Sequence, residues 1–135
     1  MILIPDDIRE RLLANGAVEP EADPVPVVKL FDPAGAATWL ITEMMPHEPD
    51  ILFGLCDLGF GCPELGYVSL AELEGVRGPL GFGIERDLHF VGRFPLSVYA
   101  EAARLAGQIT ESERLLAQAA AALRAHNPEL PPNGA

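Results

Sequence analysis

Val27-Val28-Lys29-Leu30-Phe31, Thr38-Trp39-Leu40-Ile41-Thr42-Glu43 and Ile51-Leu52-Phe53-Gly54-Leu55-Cys56 decide the fold. Each run is rich in β-branched and aromatic residues, which suit a pleated, half-buried surface. Turn chemistry separates them: Asp32-Pro33-Ala34-Gly35 after the first and Pro46-His47-Glu48-Pro49-Asp50 after the second. Connections this short cannot hold the crossover that parallel strands require, so the three runs predict an antiparallel meander.

Downstream, the Gly-rich bend Leu58-Gly59-Phe60-Gly61-Cys62-Pro63 leads into a further extended run, Glu64 to Val68. Ser69-Leu70-Ala71-Glu72 has the S-x-x-E form of a capping box and predicts a short helix ending near Arg77-Gly78. A last strand is expected from Ile84 to Val91. Upstream, Pro5 to Asn15 reads as a helix, with Asp6 and Asp7 at the positive end of its dipole and Ile8, Leu12 and Leu13 on one face. The prolines of the Glu19–Pro26 segment make it a loop. Leu96 to Ala106 predicts a helix closed by Gly107, and Thr110-Glu111-Ser112-Glu113 reads as a second capping box opening an Ala-rich helix that reaches Asn127-Pro128. The expected fold is α+β: an antiparallel sheet of four or five strands, with the N-terminal helix and a C-terminal helical hairpin packed on one face. At 135 residues, 49% of them apolar, the chain fits a single domain. It divides into a core at 5–95, a hairpin at 96–127 and a frayed tail at 128–135.

Nine basic residues against twenty acidic ones leave a net charge of −11, which opposes direct binding to nucleic acid. Between Lys29 and Arg77 there is no Lys or Arg, while Asp32, Glu43, Glu48, Asp50, Asp57, Glu64, Glu72 and Glu74 all fall there. That stretch predicts an acidic surface suited to water or to a basic partner. The opening run Met1-Ile2-Leu3-Ile4-Pro5 lacks a secretory pattern and no apolar run is long enough for a bilayer. The expectation is a cytoplasmic protein without a membrane partner, in which Cys56 and Cys62 stay thiols. These cysteines, with His47 and His89, show none of the short spacings of a zinc site.

Two constellations carry candidate chemistry. In the last expected strand, alternation places Glu85, Asp87 and His89 on one face, where they could hold a divalent metal ion. The same arrangement is also the ordinary polar face of a half-exposed strand with Ile84, Leu88 and Phe90 turned inward. Arg86 then falls on the inward side and needs a carboxylate or carbonyl partner; an ion pair with Glu43, Asp57 or Glu64 is expected. The second constellation is the Gly-rich bend with Glu64 and Tyr67. Trp39 reads as core. No G-x-S-x-G or H-E-x-x-H pattern exists, and Lys29 is the only lysine, so no catalytic residue is assigned.

Several ordered blocks also resemble a known family: Pro26–Phe31, Ala37–Glu43, Phe53–Gly59, Pro63–Glu74, Arg77-Gly78 and Ile84–Phe90. Over roughly residues 5 to 100 the chain is similar to the bacterial domain of unknown function 2958. That resemblance implies a small cytoplasmic protein, often carried on plasmids and other mobile elements near transfer and anti-defence genes, and it implies no reaction.

Three functions follow as expectations. The first is a non-enzymatic accessory of a mobile element that binds a basic protein through Asp57, Glu64, Tyr67, Glu72 and Glu74, in the manner of a DNA mimic and without a cofactor. The second is a metal-dependent hydrolase using Glu85, Asp87 and His89 with a divalent ion. The third is a structural module that self-associates through its apolar C-terminal helices.

Overall fold

A computed structural model describes residues 1–18, 22–78 and 80–126. The expected meander forms from β1 (Val28–Phe31), β2 (Thr38–Met45), β3 (Glu48–Asp57) and β4 (Glu64–Ser69). A two-residue strand, β5 (Glu85–Arg86), adds to the far side of β1, giving one antiparallel sheet in the order β4-β3-β2-β1-β5. Helix α1 (Asp6–Gly16) precedes the sheet, α2 (Leu70–Gly75) follows β4 directly, and α3 (Leu96–Ala106) and α4 (Glu113–His126) close the chain's described part. The expected tail at 128–135 lies outside the described residues.

The helices cover both faces of the sheet, which corrects the expected one-sided packing. Alternation along the strands sends Val28, Leu30, Trp39, Ile41 and Leu52 to a first face, where they bury against Leu12 of α1 and Leu73 of α2. Leu40 and Leu55 point the other way, into a second core with Tyr99 of α3 and Leu116 of α4. Trp39 is core, as its sequence setting implies.

A β-bulge governs the middle of the sheet. Ile41 pairs with Gly54 and Glu43 with Phe53, leaving Thr42 as the extra residue. Thr42 is fully buried; its hydroxyl donates to the Phe53 carbonyl at 3.2 Å, and its own carbonyl accepts from the Asn15 side-chain Nδ2 at 2.9 Å. A Cβ on Gly54 would stand 2.0 Å from the Leu40 carbonyl oxygen, so only glycine fits opposite the bulge. The bulge also sets Glu43 on the second face, beside Phe53.

Polar side chains tie distant segments together. Asp57, 3% exposed, accepts from the Gly59 amide at 2.9 Å and from the Ile109 amide at 3.0 Å, joining the β3–β4 bend to the α3–α4 connection. Asp23 accepts from the Ser97 amide at 3.0 Å and so caps α3 from the proline-rich loop. Gly107, at φ 78°, closes α3 in the left-handed conformation expected of it. The second cap falls on Ser112, whose Oγ accepts from the Leu115 amide, while Thr110 accepts from Ser112 just outside the helix.

Candidate partner-binding site

The β4–α2 corner is built from its residues upward. Ser69 ends β4 and caps α2: its Oγ accepts from the Glu72 amide at 3.2 Å, as the capping-box pattern predicts. Asp50 of β3 then locks the corner, accepting from Ser69 Oγ at 2.6 Å and from the Ala71 amide at 2.9 Å. These two bonds, the Ser69 hydroxyl first, hold the Asp50 carboxyl below its ordinary range. Asp50 therefore remains ionised within a rigid turn that displays Glu72 and Glu74, both exposed.

Along β4, alternate side chains serve opposite faces. Glu64 and Val68 take the first face, and Val68 packs against the first core near α2. Leu65 and Tyr67 take the second face and stand 49% and 67% exposed. The Tyr67 ring rests on Phe53 with centroids 5.0 Å apart at 58°. Between β4 and α3 lies a groove of about 400 Å³ with Leu55, Leu65, Ala100 and Leu123 in its apolar lining, Glu101 and Arg104 on the α3 side, and Glu64 on its border where β4 begins. Glu101 is held by a bidentate pair with Arg104, at 2.8 and 2.9 Å, whereas Glu64 makes no ion pair among the described residues. A neighbouring cleft shares Leu65 and adds Phe53, Asp23 and Glu43. Burial pushes the Glu43 carboxyl up.

Of the expected partner-facing residues, Glu64, Tyr67, Glu72 and Glu74 are exposed on β4 and α2. Asp57 stands apart from them, buried with both carboxylate oxygens engaged by backbone. Sequence patterning passed over Asp50, because its bonds span 19 and 21 residues. It also passed over Leu65, an apolar residue left exposed on an edge strand.

The expected metal face does not assemble. The chain leaves the strand after Arg86: Asp87 Oδ1 accepts from the His89 amide at 2.8 Å, an Asx turn that ends the alternation. Leu88, expected inward, is 66% exposed. Asp87 instead faces Lys29 at 3.6 Å, and Lys29 also meets Glu111 at 2.6 Å, so an ammonium group neutralises the carboxylate. Among the described residues no group of three His, Cys, Asp or Glu side chains could hold a metal ion. This argues against the hydrolase reading of Glu85, Asp87 and His89. Arg86 also departs from its expected ion pair: it lies on the first face, and its guanidinium donates to the carbonyls of Ile2 and Leu3. Cys56 is half-buried in β3, where desolvation pushes its thiol up, and Cys62 is exposed in the bend; both are free.

The family described as "Protein of unknown function (DUF2958)" matches residues 3–110. The chain belongs to the DUF2958 family. The DUF2958 match runs from the segment before α1 through the whole sheet and α3, and stops short of α4. No curated protein and no solved structure matches the chain. Among the described residues, no helix is long and apolar enough to cross a membrane.

Proposed function

We propose that this DUF2958 protein is a non-enzymatic binding protein whose partner is a basic protein, engaged through the exposed β4–α2 corner. The observation that carries the reading is the charge pattern of that corner. Glu64, Glu72 and Glu74 are exposed on β4 and α2 in a stretch, from residue 30 to residue 76, that contains no Lys or Arg, and the guanidinium of Arg77, which follows it, is held by the Glu74 and Val76 carbonyls. A surface on which carboxylates outnumber cations raises the encounter rate with a basic partner and disfavours acidic ones. Asp50 supports the reading further, because it rigidifies the corner and reduces the conformational cost of binding.

The setting proposed is the one the family resemblance implies, a small accessory carried on a mobile element. A basic, DNA-binding host component is the partner such an acidic accessory would meet, with carboxylates standing where phosphates normally bind. The test is affinity capture from bacterial lysate on wild type and on the Glu64→Gln, Glu72→Gln, Glu74→Gln triple variant, with and without added duplex DNA. The reading predicts capture of a basic protein that is lost in the triple variant and competed away by DNA. Capture that is equal on both baits and indifferent to DNA would refute it.

A further inference from the structure

The two edges of the sheet differ. β5 has two residues, and the N-terminal segment lies against it: the Arg86 amide donates to Met1 Sδ, and the Arg86 side chain holds the next two residues. β4 has six residues in unbroken register with β3, from Glu64 opposite Cys56 to Ser69 opposite Ile51. Among the described residues, no other segment pairs with its outer side. Exposed edges are ordinarily blunted by charged side chains, lysine above all, or by a proline or a bulge. Glu64-Leu65-Gly66-Tyr67-Val68-Ser69 carries one charge, at its first residue, and no lysine, proline or bulge within the strand.

The geometry points to strand addition as the mode of recognition: an extended partner segment of alternating apolar and basic residues pairs with the outer edge of β4. The inference rests on the basic-partner reading above and adds how that partner is held. An added strand places alternate side chains on the two faces of the sheet. On the second face they meet Leu65, which is exposed and lines the apolar groove beside α3, and Tyr67, which is exposed on Phe53. On the first face they lie beside Glu64, on the side where α2 carries Glu72 and Glu74. Apolar residues therefore suit one parity of the partner and basic residues the other. A second copy of this chain suits the edge poorly, since two-fold antiparallel pairing of β4 with itself would set Glu64 of each copy at the α2 end of the other, toward its Glu72 and Glu74.

The test uses two synthetic peptides of identical composition, one alternating Val and Lys and one with the lysines clustered, titrated against the full chain by fluorescence anisotropy. Backbone amide exchange of β4 is followed in parallel. The alternating peptide is expected to bind about tenfold or more tighter than the clustered one, as side-chain parity in a strand pairing requires. It should also slow exchange of the outward amides of β4, lose affinity in Leu65→Ser and Tyr67→Ser, and lose it when its own backbone is N-methylated at one parity but not the other. Equal binding of the two peptides, or binding without β4 protection, overturns strand addition while leaving a purely electrostatic basic partner in place. Absence of peptide binding overturns strand addition, and the lysate capture then judges the broader reading independently. Concentration-dependent dimerisation with β4 protection in the protein alone would assign the edge to a second copy and also overturn it.

Discussion

Replacing Asp57 by alanine tests whether this buried carboxylate is a staple or a contact residue. In the folded chain it is 3% exposed and receives two backbone amides, Gly59 at 2.9 Å and Ile109 at 3.0 Å. Removing the acceptor leaves both donors without their partner in a site that water reaches poorly. Hydrogen bonds to a charged group contribute about 1.5–3 kcal/mol each, and part of that is recovered by relaxation, so the expected loss is about 3 kcal/mol. A domain of this size loses about 3 °C of Tm per kcal/mol, which gives a fall of about 9 °C. Asp57→Asn keeps one acceptor oxygen and should lose about half as much. Urea titration followed by circular dichroism measures both variants. If Asp57 is a staple, the stability falls while the basic partner is still bound by the folded fraction. A change in Asp57→Ala below about 0.5 kcal/mol, within the range of ordinary surface substitutions, would refute the reasoning.

Other substitutions follow from the same geometry. Gly54→Ala should cost about 3 kcal/mol by urea titration, because its Cβ would enter the space of the Leu40 carbonyl opposite the bulge. Arg86→Met should free the N-terminal segment by removing the donor to the Ile2 and Leu3 carbonyls; limited proteolysis should cut ahead of α1 faster than in wild type. Glu43→Gln should stabilise the protein at neutral pH. Burial raises the Glu43 carboxyl, so its contribution to stability is present below its unfolded pKa and is lost as pH rises through the higher folded value. The difference in Tm between wild type and Glu43→Gln should therefore shrink as the pH is lowered through the carboxylate range.

The meander was legible because its cues are local. β-branched runs, two short turns and a Ser-x-x-Glu box each act within a few residues, and the structure uses them with one change: β3 begins at Glu48, so the second turn shrinks from Pro46–Asp50 to Pro46-His47. The two-sided packing had a cue as well. Trp39-Leu40-Ile41 is a continuous apolar run, which implies burial on both faces, and all three are buried in the structure. Other features had no local cue. Whether Asp87 continues a strand or caps a turn depends on Lys29 and on where β1 ends, contacts that a window around Ile84 to Val91 does not contain. Asp23 at the start of α3 is 74 residues from its partner, and Asp50 at the start of α2 is 21. Within the candidate site, the acidic residues and Tyr67 could be named from composition and from the bend. The open edge of β4 could not, because the strand order decides which strand is outermost.

The central claim is that the β4–α2 carboxylates hold a basic protein. The most direct measurement is the Kd of the purified captured partner at low and high salt, for wild type and for the triple glutamine variant. Exposed charges are largely screened beyond a Debye length of about 3 Å at 1 M ionic strength. The account predicts that wild-type affinity falls steeply with salt and that the Glu64→Gln, Glu72→Gln, Glu74→Gln variant binds more weakly with a shallower dependence. Equal Kd values and equal salt dependence for the two proteins would contradict it.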